Sequence, residues 1–76
     1  MEVKVYSTPG CPWCAKAKQY LGEKGVPFKD IDVSQDMEAA KEMIAKSGQR
    51  GVPVLDINGT IIVGFNQPAI EQALGA

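Results

Sequence analysis

The chain has 76 residues, enough for one hydrophobic core and too few for two, so we expect a single domain over residues 1–76. Its 45% content of hydrophobic residues is typical of a globular protein, and no apolar run approaches the roughly 20 residues of a membrane span. Eight basic and nine acidic residues form no basic patch of the kind that binds nucleic acid, and the absence of histidine excludes Ser-His-Asp and Cys-His catalysis and histidine-ligated metal sites.

A strand and a helix are predicted for the first part of the chain. Residues Glu2–Tyr6 alternate polar and apolar side chains with period two, which is typical of a strand. After a loop at residues 7–10, we predict a helix over Pro12–Leu21, and Gly22 and Gly25 supply its stop signal. Three apolar residues share one face of this helix: Cys14, Ala17 and Leu21. Two basic residues are interpreted as its solvent side: Lys16 and Lys18.

A second strand and a second helix follow. The apolar residues of Val26–Val33 lie between turn residues and predict a strand. Ser34 is a favourable N-cap for a helix over Gln35–Ser47, and Gly48 is a suitable C-cap. Charged residues in the first and last turns match the helix dipole: Asp36, Glu38 and Lys46. The predicted buried face is Met37, Ala40 and Ile44, with Met43 at the margin.

The last part of the chain predicts a hairpin and a short helix. Strands over Val54–Ile57 and Thr60–Val63 lie on either side of Asn58-Gly59, a strong hairpin signal because both residues tolerate positive φ. A helix over Gln67–Leu74 follows, with Pro68 in its first turn. Its inward-facing residues are predicted to be Ile70, Ala73 and Leu74.

The predicted order β-α-β-α-β-β-α indicates an α/β fold. A strand, a helix and a strand in succession imply a parallel pair joined by a right-handed crossover. The hairpin adds two antiparallel strands. We therefore expect a four-stranded mixed sheet flanked by three helices.

The two cysteines, Cys11 and Cys14, carry the strongest functional signal. A bridge that closes so short a loop stabilises a fold little, so the pair is better suited to chemistry. Cys11 lies at the start of the first helix, where unpaired N–H groups and the helix dipole favour the nucleophilic thiolate. Pro12 suits the first helical position because it has no N–H to satisfy there. We expect Cys11 to attack a substrate disulfide and Cys14, one turn deeper, to resolve the mixed disulfide.

Three other interpretations of the pair remain open. A structural zinc site needs four ligands, and the chain offers no other cysteine and no histidine. An iron–sulfur cluster shared by two chains could use four thiolates. Both side chains could also be inert core residues. The spacing Cys-x-x-Cys near a β-α-β pattern favours redox chemistry over these.

The sequence resembles the glutaredoxin family over essentially its whole length. Four segments carry the resemblance: Tyr6–Cys14 (Tyr-Ser-Thr-Pro-Gly-Cys-Pro-Trp-Cys), Asp30–Ser34, Gly51–Val54 and Gly64–Gln67. The resemblance implies a thioredoxin fold and a thiol-disulfide oxidoreductase that reduces protein disulfides or glutathione mixed disulfides through Cys11 and Cys14. It also implies a role in electron transport and cell redox homeostasis.

The resemblance further implies a binding surface for glutathione or a peptide beside the dithiol. Pro53 would be a cis-proline that exposes the backbone of Val52 for strand-like pairing. Trp13 is interpreted as a surface aromatic and Phe65 as a core or rim residue. The candidate binding residues are Pro12, Trp13, Gln49, Arg50, Val52, Pro53, Gly64, Phe65, Asn66 and Gln67.

The chain departs from glutathione-using members of the family at two places. Those members commonly have a basic residue shortly before the first cysteine, where this chain has the uncharged residues 7–10. They commonly have an acidic pair at the start of the last helix, where this chain has Asn66 and Gln67. Gln49 and Arg50 are either solvated loop residues or partners for the glycyl carboxylate. Helix N–H groups after Gln67 could hold the γ-glutamyl carboxylate.

Two electron sources are therefore considered, and no bound cofactor is expected. One is glutathione as co-substrate; the other is a thioredoxin-reductase-like flavoenzyme, since Gly64-Phe65 is reminiscent of redoxins reduced in that way. The implied clients include ribonucleotide reductase and peroxiredoxins.

An iron–sulfur cluster carrier acting as a dimer is the alternative of another class, and Cys14 argues against it because cluster-handling relatives often keep only the first cysteine. We expect the protein to be cytoplasmic, since no secretory signal precedes the first strand. We also expect a monomer without nucleic-acid or membrane partners.

Overall fold

The computed structural model describes residues 2–75, and its elements follow the predicted order. They are β1 (Val3–Ser7), α1 (Pro12–Glu23), β2 (Lys29–Asp32), α2 (Met37–Ser47), β3 (Val54–Ile57), β4 (Thr60–Val63) and α3 (Gln67–Ala73). The strands form a mixed sheet in the order β2-β1-β3-β4, with β1 parallel to β2 and antiparallel to β3. The predicted α/β fold is confirmed. No helix within residues 2–75 is long and apolar enough to cross a membrane.

The hairpin of β3 and β4 forms at the predicted residues. Asn58 and Gly59 both have positive φ, 52° and 97°, as a two-residue turn between twisted strands requires. In the resulting register Val54 pairs with Val63, so the open end of the hairpin leads directly into Gly64.

The predicted second strand is too long, because β2 covers only Lys29–Asp32. The residues before it end α1 instead. Gly25 has a φ of +70°, and its N–H bonds to the Gly22 carbonyl at 3.1 Å. The Val26 N–H bonds to the Leu21 carbonyl at 3.0 Å, which completes a Schellman motif. Val26 therefore packs against the core as the hydrophobic cap of α1 rather than as a strand residue.

The predicted N-cap of the second helix is wrong. Asp36 precedes α2, and its Oδ1 accepts a hydrogen bond from the Ala39 N–H at 3.1 Å. Ser34 lies in the preceding turn, where its hydroxyl donates to Asp32 Oδ1 at 2.6 Å. Serine and aspartate are both good N-caps, and Asp32 decides between them by engaging the Ser34 side chain. Gly48 ends the helix with a φ of 72°, as predicted.

The predicted buried face of α2 is also wrong, because Met43 is 2% exposed and Met37 is 73% exposed. Ile44 is 36% exposed, and Ala40 is half-buried. The prediction failed because it placed Lys46 in solvent, whereas the Lys46 ammonium bonds to a carboxylate of β3 beneath the helix. An apolar pattern assigns lysine to solvent, although its long apolar stem can lie on a buried face. The inward face is formed by Ala39, Met43, Lys46 and Ser47.

The sheet separates two apolar clusters, one under each layer of helices. Along β1, Val3 and Val5 face α1 and α3, whereas Tyr6 faces α2. The larger cluster contains Val3, Val5, Ala17, Tyr20, Leu21, Leu55, Ile57, Ile62 and Ile70. The smaller cluster contains Tyr6, Met43 and Val54.

The strand directions bring three loops to one edge of the sheet. β1 and β4 are both antiparallel to β3, so the carboxyl ends of β1 and β4 lie beside the start of β3. The segment before α1, the segment before β3 and the segment after β4 therefore meet there. Residues 8–11, 50–53 and 64–66 form these segments.

A polar network ties α2 to the sheet. The hydroxyl of the buried Tyr6 donates to the Glu42 carboxylate and accepts a hydrogen bond from Lys46 Nζ at 2.9 Å. Lys46 Nζ also donates to Asp56 Oδ2 at 2.7 Å. Burial alone would raise the pKa of Asp56, but hydrogen bonds from Lys46 and the Gly59 N–H hold this pKa below its ordinary value. Hydrogen bonds from Tyr6 and then Lys46 lower the pKa of Glu42.

Lys46→Met is expected to lower the free energy of unfolding at neutral pH by about 1–3 kcal/mol, because Tyr6, Glu42 and Asp56 lose their shared donor. The wild-type protein should lose stability as the pH falls through the lowered pKa values of Asp56 and Glu42. Carboxylates with a lowered folded-state pKa stabilise the fold above their unfolded pKa, and this contribution disappears as they are protonated. Lys46→Met should flatten that loss. Urea unfolding at neutral pH and between about pH 5 and pH 2 measures both effects.

The control for this prediction is Lys41→Met, since Lys41 is exposed on the same helix. It should keep both the stability and the acid sensitivity of the wild-type protein. Equal acid sensitivity in Lys46→Met and the wild-type protein would contradict the stabilising role of the network.

Candidate active site

Cys11 is the N-cap residue of α1. Its backbone is extended, with φ −96° and ψ 108°, and its Sγ accepts a hydrogen bond from the Cys14 N–H at 3.2 Å. The sulfur occupies the place of a capping oxygen and faces the positive end of the helix dipole. Pro12 lies in the first turn, as predicted. Cys11 is half-buried and Cys14 is 1% exposed, so Cys11 is the sulfur that a partner can reach.

The two sulfurs lie in different environments. Burial raises the pKa of the Cys14 thiol to about 11, and its hydrogen bond with Cys11 acts in the same direction. The Thr8 backbone and the Lys18 ammonium oppose this rise without cancelling it. At neutral pH Cys14 is therefore a protonated, shielded thiol, and Cys11 is better placed to react first. Among residues 2–75, no group of three or more Cys, Asp or Glu side chains could hold a metal ion.

An apolar groove of about 280 Å³ lies beside the dithiol and is lined by Trp13, Val52, Pro53, Gly64 and Phe65. The sequence predicts all of these as binding residues, and Trp13 stands between the two cysteines. The Val52–Pro53 peptide bond is cis, as expected. The Gly64 N–H donates to the Pro53 carbonyl at 2.8 Å, which joins the two loops into one wall. Trp13 is 56% exposed, as expected of a surface aromatic.

Phe65 is both a core residue and a rim residue. Its ring lies edge-to-face against Tyr20, with the centroids 5.8 Å apart, and packs against the larger apolar cluster. It also lines the groove, 6.4 Å from the Trp13 ring. Gly64 has a φ of +79° and makes the bend that turns Phe65 inward, a conformation that residues with a Cβ rarely adopt.

Nearly the whole chain, including the segment with the two cysteines, is similar to known proteins. A family model described as Glutaredoxin matches residues 3–62. The chain belongs to the glutaredoxin family. It is 50% identical over 72 residues to an uncharacterized glutaredoxin-like 8.6 kDa protein in the rubredoxin operon of Clostridium pasteurianum. That match covers 95% of this chain and 96% of the relative.

Two further relatives of this glutaredoxin-family chain differ in the activity that their names describe. The N-acetyl-S-hydroxy-L-cysteine reductase of Bacillus subtilis is 39% identical over 73 residues, which cover 95% of this chain and 78% of the relative. The glutaredoxin-like NrdH-redoxin of Escherichia coli, described by a thioredoxin-like activity profile, matches with a TM-score of 0.87 and 28% identity. That match covers 95% of this chain and 93% of the NrdH-redoxin. The chain therefore has the thioredoxin fold and is a thiol-disulfide oxidoreductase.

Two of the predicted polar residues have side chains that are already engaged. The Gln49 amide donates to the Gly51 carbonyl at 3.0 Å and accepts from the Gly51 N–H at 2.6 Å. Asn66 caps α3, with its Oδ1 accepting from the Ala69 N–H at 3.2 Å. The Gln49 side chain would have to break a hydrogen bond to donate to a ligand, because its amide nitrogen already donates to Ser47 and Gly51. The Asn66 amide nitrogen keeps its donors available, because only the oxygen of that side chain is used in the cap. The remaining predicted residues, Pro12, Arg50 and Gln67, are exposed and do not line the groove.

The sequence analysis missed the contacts of two lysines of α1. Lys16, interpreted as solvent-facing, holds its Nζ 4.6 Å from the centroid of the Trp13 ring. Lys18 Nζ donates to Asp30 Oδ2 at 3.0 Å, and the Ser7 hydroxyl donates to Asp30 Oδ1 at 2.8 Å. The spacing i, i+3 between Trp13 and Lys16 could have indicated the first contact. The second joins α1 to β2, and no local pattern reveals it.

Proposed function

We propose that this chain reduces protein disulfides or glutathione mixed disulfides, with Cys11 as the attacking and Cys14 as the resolving cysteine. One observation carries the proposal, namely the asymmetry of the pair. Cys11 is half-buried at the N-cap with a helix N–H on its sulfur, and Cys14 is buried one turn deeper. Exchange through a mixed disulfide needs one accessible sulfur and one that acts after the first has reacted.

The proposed reaction has two exchange steps. The Cys11 thiolate attacks one sulfur of the client disulfide, so a bond from Cys11 to the client forms while the client S–S bond breaks. The departing client thiolate takes up a proton. Cys14 then gives up its proton and attacks Cys11 Sγ, so the Cys11–Cys14 disulfide forms and the second client thiolate leaves and is protonated. The client has gained two electrons and two protons, and the protein is left oxidised.

We assign the apolar groove to the client chain. The backbone of the half-buried Val52 is a candidate for strand-like pairing with an extended peptide. Trp13 and Phe65 offer apolar contact on the other side, and large aromatics often anchor interfaces. The same groove would accept the cysteinyl part of glutathione.

We propose glutathione as the electron source. Family membership supports it, and Arg50, exposed two positions before Val52, is a partner for a glutathione carboxylate. A thioredoxin-reductase-like flavoenzyme is the second candidate. The engaged side chain of Gln49 and the likeness to the NrdH-redoxin favour it. Missing ion-pair partners in an exposed groove cost about 1 kcal/mol or less each, so they weaken glutathione binding without removing it.

We further propose that the protein works as a cytoplasmic monomer without a bound cofactor. A reducing compartment suits a dithiol that must return to the reduced state after each turnover. Ribonucleotide reductase and peroxiredoxins are proposed as clients because both form disulfides that must be reduced again.

A coupled assay tests the electron source. The oxidised protein is mixed with NADPH and either glutathione plus glutathione reductase or thioredoxin reductase, and NADPH consumption is followed. We expect reduction through glutathione, and reduction by the flavoenzyme slower by about tenfold or more. Reduction by the flavoenzyme alone would overturn the glutathione assignment and leave the cysteine roles intact. Reduction by neither system would overturn both the glutathione assignment and the cysteine roles.

A further inference from the structure

The charges of this protein are unevenly distributed around the dithiol. The segments that carry the site and lead away from it, residues 8–22, 47–55 and 63–70, contain no aspartate or glutamate. All nine acidic residues lie elsewhere in the chain. The basic residues of these segments are Lys16, Lys18 and Arg50. These segments therefore carry three positive charges and no negative one, although the net charge of the chain is −1. The next acidic residue after the first segment, Glu23, lines a cleft together with Lys16.

One of these three cations is neutralised, and two are not. Lys18 pairs with Asp30 at 3.0 Å. Lys16 and Arg50 are exposed, and neither makes an ion pair within residues 2–75. Their charges are therefore available to a partner rather than used inside the fold.

Lys16 and Arg50 do not line the apolar groove, but each is near a different residue that does. Lys16 Nζ lies 4.6 Å from the Trp13 ring centroid, and Lys16 also lines a second cleft of about 250 Å³ that shares Phe65 with the groove. Arg50 comes two positions before Val52, which belongs to the opposite loop. A chain lying in the groove would therefore contact apolar side chains, with one cation near its Trp13 side and another two positions along the chain from Val52.

We propose that the preferred clients of this dithiol are disulfides held in extended segments that are both apolar and acidic. An apolar residue next to the client cysteine would occupy the groove, and Asp or Glu on either side would meet Lys16 and Arg50. The proposal rests on the function proposed above and adds the chemistry of the client. Charges at the rim of an interface act mainly on the association rate, because the potential steers a partner before contact.

Two synthetic peptides test this preference. Each is closed by one disulfide, with leucine next to one cysteine, and they differ only in carrying aspartate or asparagine on both sides of that cysteine. Pre-reduced protein is mixed with each peptide in single-turnover experiments, so no electron source is involved. We expect the second-order rate constant to be about tenfold higher for the aspartate peptide at low salt. The ratio should approach one at an ionic strength of about 1 M, where charges are screened within about 3 Å.

Charge-reversed variants locate the effect. Lys16→Glu and Arg50→Glu should each lower the aspartate-to-asparagine rate ratio by about threefold, and together they should remove or reverse it. Lys41→Glu makes the same charge change on the far helix α2 and should keep the wild-type ratio. Equal rates for the two peptides with the wild-type protein, or an equal loss in Lys41→Glu, would overturn the proposal. If neither peptide is reduced, the proposed function fails as well, so the two failures are distinguishable.

Discussion

Replacing Cys11 by serine is expected to abolish the reduction of every disulfide substrate, lowering the rate by about a thousandfold or more. Cys11 is the accessible sulfur at the N-cap of α1, and a serine hydroxyl does not attack disulfides at neutral pH. Cys14→Ser is expected to keep the reduction of glutathione mixed disulfides within about tenfold, because a second glutathione can take the place of the resolving thiol. It should lose the reduction of intramolecular client disulfides.

The two serine variants are controls for each other, since both replace one sulfur by oxygen at the start of the same helix, at its N-cap and in its first turn. Rates are measured with a glutathionylated peptide and with a cyclic peptide disulfide. Cys14→Ser should also accumulate a mixed disulfide with the cyclic peptide, visible as a gain of mass. Activity in Cys11→Ser, or a Cys14→Ser variant inactive toward both substrates, would show that the roles are assigned wrongly.

Signals that depend only on neighbouring residues predicted the fold well. The turn at Asn58-Gly59 and the C-cap at Gly48 lie where expected, because positive φ at these positions suits few other residues. The errors at Val26 and Ser34 arose where one residue could serve two structures. Val26 suits a strand or a helix cap, and Ser34 suits an N-cap or a turn, and contacts with Leu21 and Asp32 decide between them. An apolar pattern does not record those contacts.

The candidate site was predictable to the extent that chain order fixes it. Cys11 and Cys14 had to lie at a helix start after the first strand, and the structure places them there. The engagement of Gln49 was not predictable, because the partner of a side-chain amide depends on the loop that it closes. The cap by Asn66 was predictable, since asparagine directly before the predicted helix is a preferred N-cap, but the sequence analysis did not assign it. The lack of an ion pair at Lys16 was likewise not predictable, because it depends on where distant carboxylates lie in the folded chain.

Met43→Ala is expected to lower the free energy of unfolding by about 2–4 kcal/mol, whereas Met37→Ala should change it by no more than about 0.5 kcal/mol. The two substitutions are identical and lie on the same helix, so they change intrinsic helix propensity about equally. Met43 is 2% exposed and packs with Tyr6 and Val54, whereas Met37 is 73% exposed. The difference between the variants therefore measures burial alone.

Thermal unfolding gives a sharp test, since about 1 kcal/mol shifts the midpoint of a domain of this size by about 4–8 °C. Met43→Ala should melt about 10 °C or more below the wild-type protein, and Met37→Ala within about 4 °C of it. If Met37 lay on the buried face, as the apolar pattern predicted, Met37→Ala would be the more destabilising of the two substitutions. Met43 and Lys46 are three positions apart and share the inward face of α2. A small effect of Met43→Ala would therefore contradict this orientation of the helix, whereas the contribution of the Lys46–Asp56 bond is a separate quantity that Lys46→Met measures.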